Sequence, residues 1–160
     1  MENKVATFMK VTKQQYTQDT GDPAGYDLIT LPRRATTGSA GYDFYLPKSI
    51  YVSNEPVLVH TGIRVRIDPG WVLALFPRSG LGFKYGLRLL NTTGIIDSDY
   101  FEAANEGHIA AKIVSDTPVE LKAGDRFMQG ILLPYGIATN DHILMAHRQG
   151  GFGSSGGMSN

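Results

Sequence analysis

Val57-Leu58-Val59-His60-Thr61-Gly62-Ile63-Arg64-Val65-Arg66-Ile67 carries β-branched residues at positions 57, 59, 63, 65 and 67, while Arg64 and Arg66 fall on the other parity. Side chains of a strand alternate between its faces, so this period of two reads as a half-buried β-strand. Further strands are expected over residues 5–11, 71–76, 108–114 and 126–133, parted by turn signals at Asp68-Pro69-Gly70, Ala123-Gly124-Asp125 and Thr139-Asn140-Asp141. The 19 glycines and 8 prolines suit many tight turns and argue against long helices. The expectation is an all-β fold, a barrel or a jelly roll, with one short helix within residues 81–90, capped by Ser79-Gly80.

A chain of 160 residues has room for one core. Fifteen Lys plus Arg balance fifteen Asp plus Glu, so no global field favours duplex nucleic acid or an anionic membrane, and any phosphate binding has to be local. The absence of cysteine removes thiol chemistry, disulfides and cysteine zinc sites. His60, His108, His142 and His147 lack a metal-ligand spacing such as H-E-x-x-H. The start has no apolar signal region, and the longest clean apolar run, residues 71–76, is too short to span a bilayer. The chain therefore reads as soluble, unexported and cytoplasmic. Residues 1–145 form the expected barrel domain. Residues 146–160 form a glycine-rich arm, with Gly150, Gly151, Gly153, Gly156 and Gly157 around the lone aromatic Phe152. By composition it reads as a flexible tail; the isolated aromatic near Arg148 suggests a more specific use.

Three segments could carry chemistry. Pro77-Arg78-Ser79-Gly80-Leu81 lies where a strand turns into the expected helix. It is either a phosphate cradle built from unpaired N–H groups, a charge and a hydroxyl, or an ordinary capped turn. Asn91-Thr92-Thr93-Gly94-Ile95-Ile96-Asp97-Ser98-Asp99-Tyr100 reads as a β-hairpin with an acidic tip. There Asp97 is either a rigidly held general base or a turn residue bonded to nearby backbone. In Gly124-Asp125-Arg126-Phe127-Met128-Gln129, Asp125 fits a turn, while Arg126 and Gln129 need partners if buried and none if they face solvent.

In order, these segments resemble the five motifs of the trimeric all-β dUTP diphosphatase (dUTPase) family. The first is matched by Gly38-Ser39-Ala40-Gly41-Tyr42-Asp43, the second by residues 77–81 and the third by residues 94–100. The fourth corresponds to Gly124-Asp125-Arg126 with Gln129, and the fifth to Gly150-Gly151-Phe152-Gly153-Ser154-Ser155-Gly156. A second Gly-Tyr-Asp, at Gly25-Tyr26-Asp27, lacks the Ser-Ala lead and is a decoy.

The resemblance implies hydrolysis of dUTP to dUMP and pyrophosphate, which supplies dUMP for thymidylate synthesis and keeps uracil out of DNA. It implies a distorted jelly-roll β-barrel that assembles into a homotrimer, whose active sites are shared between chains. Asp97 would activate the water that attacks the α-phosphorus. Asn91, Gly94 and Ile96 would belong to the uracil site, and Tyr100 would lie under the deoxyribose. Arg78, Ser79, Gly80 and Gln129 would meet the phosphates, with Mg2+ carried mainly by the triphosphate and touched by Asp43 through water. Phe152 would stack on uracil as the arm closes, with Gly153 beside it, while Arg148, Ser154 and Ser155 reach the γ-phosphate.

Two departures stand out. Residues 101–106 separate Tyr100 from Gly107 where the family usually has a single residue, and only Gln149 lies between Arg148 and Gly150 where two residues are usual. Either Arg148 or His147 therefore fills the clamp. The rival readings are a deoxycytidine triphosphate deaminase, which shares the barrel but lacks the pattern at residues 97–100, and a catalytically quiet trimeric module with a regulatory protein partner.

Overall fold

The computed structural model describes residues 3–144 and Arg148. Its strands are β1 (Ala6–Lys10), β2 (Arg33–Arg34), β3 (Tyr42–Tyr45), β4 (Ile50–Val52), β5 (Val57–His60), β6 (Ile63–Ile67), β7 (Trp71–Pro77), β8 (Arg88–Leu89), β9 (Gly94–Ile96), β10 (Ala110–Val114), β11 (Val119–Leu121) and β12 (Arg126–Pro134). The largest ladder runs β2-β3-β12-β7-β9, a second runs β5-β10-β8, and β1-β6 and β4-β11 are pairs. The fold is all-β, as expected, with the described strands in four antiparallel ladders around one core rather than in one closed barrel. Central β7 explains the unbroken apolar run: it lies between β12 and β9, and Leu73, Ala74 and Leu75 are all buried. A strand covered on both faces has no reason to alternate.

The alternating stretch at 57–67 is not one strand. It breaks at Thr61-Gly62 into β5, which pairs with β10, and β6, which pairs with β1. Gly62 has φ +75, and a Cβ there would collide with the Ile29 side chain; only glycine meets both demands at little cost. Val59, Ile63, Val65 and Ile67 still face the core, so the alternation reported burial correctly and chain direction incorrectly.

Helices also differ from expectation. The expected one is α2, Ser79–Tyr85, which ends at the left-handed Gly86 before residues 88–89 return to strand. Its N-cap is Arg78, with no side-chain capping bond, rather than the Ser79-Gly80 pair. A second helix, α1 (Lys13–Thr20), was not expected, because Tyr16 is the one large apolar residue in KQQYTQDT. Its ends make it: Thr12 accepts the Gln15 N–H, and Gly21, at φ +69, closes the C-terminus. The decoy Gly25-Tyr26-Asp27 lies in a 3₁₀ turn, Pro23–Leu28, where Tyr26 Oη donates to the Val11 carbonyl at 2.8 Å.

Helix α1 packs through Asp19 against the buried His108. The Gly62 N–H donates to His108 Nε2 at 2.8 Å, which places the ring proton on Nδ1, 2.6 Å from Asp19 Oδ2. Asp19, His60 and His108 thus gather within 4.8 Å, a cluster that spacing along the chain does not reveal. Both His108 nitrogens are engaged, however, and a metal on Nδ1 would demand a proton on Nε2 facing the Gly62 N–H. Burial pushes His108 below the ordinary 6.5, against the pull of Asp19, and burial lowers His60 as well.

The unfolded chain takes up protons near pH 6.5, whereas the folded chain resists until lower pH. Stability is therefore expected to be complete above that value and to fall on acidification through the window beneath it, by up to about 1.4 kcal/mol per pH unit for each histidine. Urea unfolding between about pH 5 and 8 measures the slope; His108→Gln should flatten it whatever that variant's absolute stability.

Candidate active site

One group of the expected residues collects around the Asp43 carboxylate. Asp43 lies on β3 directly opposite Gln129 of β12 and is buried. Its Oδ1 is 3.2 Å from Arg78 Nε and its Oδ2 3.1 Å from Arg126 Nη1. Arg126 and Gln129 are three apart and would face opposite ways on a regular strand. The register of β12 shifts between Arg126 and Met128, however, and Phe127 and Met128 are both fully buried. This bulge brings Arg126 and Gln129 to the same side. Gln129 Nε2 donates to the Pro77 carbonyl at 3.3 Å, tying β12 to the segment that carries Arg78. Asp125 keeps to its turn, accepting the Lys122 N–H at 2.8 Å.

Asp43, Arg78, Ser79 and Gln129 line one cavity of about 330 Å³, floored by residues 39–41. Ser79 is exposed, and nothing lies within 4 Å of a Cβ built on Gly80, so an anion could approach this backbone closely.

The third segment is not a hairpin. β8 pairs with β10 and β9 with β7, so the turn at residues 91–93 crosses between two ladders. Thr92 occupies it with φ +69, a conformation that costs a β-branched residue on the order of 1–3 kcal/mol. Asn91 and Gly94 line a largely apolar cavity of about 380 Å³ with Leu75 and Leu89. Ile96 is buried, anchoring the strand end from which Asp97 projects into solvent. The 3₁₀ turn Ser98–Glu102 then buries Tyr100. Its hydroxyl, kept protonated by burial, donates to the His108 carbonyl at 2.8 Å and accepts from Asn105 Nδ2 at 2.9 Å.

Arg148, expected at a γ-phosphate, here bridges the acidic tip. Its Nη2 lies 2.7 Å from Asp97 Oδ2 and its Nε 2.9 Å from Asp99 Oδ1, with the guanidinium 5.9 Å from the Tyr100 ring centre.

The chain thus brings Asp43, Arg78, Ser79 and Gln129 to one cavity and Asn91 and Gly94 to another, and the two share no lining residue. Asp97, Tyr100 and Arg148 form a third group. Phe152, Gly153, Ser154, Ser155 and the alternative clamp residue His147 lie outside the described residues, as does the rest of the arm apart from Arg148. Sequence reasoning missed Arg126 as the second partner of Asp43 and Asn105 as the partner of Tyr100. The i,i+3 spacing of Arg126 and Gln129, at odds with a period of two, was the available sign of the bulge. Among the described residues, no helix is long and apolar enough to cross a membrane.

A dUTPase family model matches residues 17–156. The deoxyuridine 5'-triphosphate nucleotidohydrolase of Lactococcus lactis subsp. lactis is 36% identical over 133 residues, covering 80% of this chain and 89% of that protein. The crystal structure of a dUTPase from Streptococcus mutans superposes with a TM-score of 0.67 at 36% identity, covering 83% of this chain and 98% of that one. A mutant dUTPase from phage phi11 of S. aureus, solved with attention to the coordination of a structural Mg(II) ion, has a TM-score of 0.67 at 17% identity, covering 89% and 99% of the two chains. That last likeness is one of fold.

Removing the charge of Asp43 leaves two guanidiniums facing each other across a buried amide. Asp43→Asn is expected to lower stability by about 1–3 kcal/mol in urea unfolding, below the full cost of a broken buried pair because Arg126 is partly exposed. Replacing Arg78 and Arg126 with Met in the same variant should recover most of that loss.

Proposed function

The chain belongs to the dUTPase family, and from that premise we propose how its residues divide the work of converting dUTP to dUMP and pyrophosphate. The enzyme class, a nucleotidohydrolase acting on dUTP, follows from the family itself. The observation that carries the assignment of roles is the cavity where Asp43 fixes Arg78 beside Ser79 and Gln129. These donors converge where charge builds on phosphate oxygens, and a pre-placed donor needs no reorganisation as the reaction proceeds.

Asp97 takes a proton from the water that attacks the α-phosphorus. The bond from that phosphorus to the α–β bridging oxygen breaks, and pyrophosphate leaves with the oxygen. Catalysis is mostly placement and electrostatics. Arg148 Nη2 lies 2.7 Å from Asp97 Oδ2, and the phosphates are anions that compete with this carboxylate for the guanidinium. Arg148 rather than His147 is accordingly the clamp residue, working with Ser154 and Ser155.

Uracil sits against the turn at residues 91–94, where backbone groups can copy a pairing partner, with Asn91 and Gly94 at the cavity wall and Ile96 fixing the strand end. A 5-methyl group would collide with this packed surface. Collision discriminates more strongly than the roughly 1–3 kcal/mol of a missing methylene contact. Tyr100 beneath the sugar excludes a 2′-hydroxyl. Phe152, followed by Gly153, stacks on the base as the arm of residues 146–160 closes over the site, a contact worth about 1–3 kcal/mol.

Both Asp43 oxygens face guanidinium groups, so this carboxylate suits the outer sphere of a hydrated ion rather than a protein-built cage. The residues fit a magnesium ion borne by the triphosphate, as a structural Mg(II) ion in the phage phi11 protein encourages. Such an ion neutralises charge on the phosphates. The separate linings of the base-side and phosphate-side cavities support a site completed by neighbouring chains of a homotrimer. The products suit a role in deoxyuridine nucleotide metabolism, supplying dUMP and limiting dUTP, in the cytoplasm.

Asp97→Asn is expected to keep nucleotide affinity while losing on the order of 10² to 10⁴ in turnover, measured as pyrophosphate released from dUTP, with dTTP, UTP and magnesium-free reactions in parallel. Near-normal turnover would remove Asp97 as the base. Truncation after Met145 should leave a folded trimer by light scattering with severely reduced activity; full activity would rule out closure by the arm.

A further inference from the structure

Residues 101–106, five more than the family usually places here, do not form a loose excursion. Glu106, held at φ +61, accepts the Thr12 N–H at 3.0 Å and the Thr12 hydroxyl at 2.6 Å, and its carboxylate lies 3.9 Å from Arg64. The segment is thereby tied to the N-cap of α1 and to β6. Near its end Asn105 makes three hydrogen bonds: its carbonyl accepts the His108 N–H at 3.1 Å, its Oδ1 accepts the Gly107 N–H at 3.2 Å, and its Nδ2 donates to Tyr100 Oη.

We infer that Asn105 is a positioning residue that sets the plane of the Tyr100 ring and so sharpens selection of deoxyribose over ribose. A phenol keeps its O–H, and prefers its accepted hydrogen bond, near the plane of the ring. Rotation about the Cβ–Cγ axis leaves Oη in place but carries those directions off their partners. One bond given to the His108 carbonyl leaves some freedom; a second, received from Asn105, removes it. Both partners are themselves fixed, His108 through Gly62 and Asp19, Asn105 through the turn it closes. A sugar resting on the ring therefore meets a surface that cannot tilt to admit another hydroxyl. The inference rests on the placement of Tyr100 beneath the sugar and adds to it the residue that makes the placement rigid.

The experiment compares kcat/KM for dUTP and UTP. Asn105→Asp keeps the acceptor for Gly107 but loses the donor to Tyr100, so the ratio for dUTP over UTP should fall about tenfold with little change in thermal midpoint. Asn105→Ala should lower it similarly. In a Tyr100→Phe background, neither change should lower the ratio further. A ratio unchanged in both Asn105 variants, or an equal drop without the Tyr100 hydroxyl, overturns the inference. Tyr100→Ala separates the two levels: if it alone relaxes selectivity, only the role of Asn105 is lost. If it too leaves the ratio unchanged, or if the unmodified protein does not hydrolyse dUTP, the underlying reading fails and takes this inference with it.

Discussion

A single buried carboxylate organises the cavity that Arg78, Ser79 and Gln129 line. Asp43 lies between Arg78 and Arg126, and each of the three comes from a different part of the chain: β3, the start of α2, and β12. Neither arginine would hold one rotamer alone, since a long side chain in water loses entropy when it is fixed. Between two fixed neighbours, the carboxylate makes a fixed guanidinium the low-energy state. The local geometry serves this arrangement. The bulge at Phe127 turns Arg126 toward Asp43, and α2, with no side-chain cap, begins with Arg78 and Ser79 at the cavity wall.

The segment that carries Tyr100 follows the same logic with other materials. Here the fixed element is Tyr100, held by a chain of bonds through His108 to Asp19 on α1 and Gly62 between β5 and β6. Helix α1 has no large apolar face and gains its place in the fold through Tyr16, which is fully buried, and through this polar contact. A helix that contributes little to the core thus reaches the residue assigned to the sugar. Buried polar networks rigidify when every member is satisfied, and the same neutral His108 that stiffens the network ties it to pH.

The motifs were legible because their chemistry demands particular residue types in order, and the core was legible where one face of a strand meets solvent. Arg64 and Arg66 against Val65 and Ile67 gave the face of β6 without ambiguity. Legibility failed where tertiary partners decide. Nothing in Val57 to Ile67 announces that the two halves pair with different strands; that depends on Ile29 arriving beside Gly62. β8 and β9 resemble hairpin arms, yet each finds a better partner in β10 or β7. Helix α1 is written in Thr12 and Gly21 rather than in periodicity, and the gathering of Asp19, His60 and His108 joins residues up to 89 positions apart. In each case the local pattern was compatible with two outcomes, and long-range packing chose.

Charge arithmetic gives a reason for the remaining features. Arg78 and Arg126 with Asp43 sum to 2 − 1 = +1, and Arg148 with Asp97 and Asp99 to 1 − 2 = −1. The described groups of one chain therefore cancel, as the whole sequence does at +0. A triphosphate brings several negative charges, and burying them against a neutral surface would be costly unless further positive charge arrives with or around it. A divalent ion carried by the nucleotide and donors from neighbouring chains would both meet that need. On the proposed roles, the balance would also leave the tip acidic once Arg148 turned to the phosphates, freeing the Asp97 carboxylate from its ion pair. On the same roles, a strongly basic site would bind phosphate more tightly but would keep that carboxylate ion-paired, whereas near-neutrality would let one guanidinium serve both anions in turn.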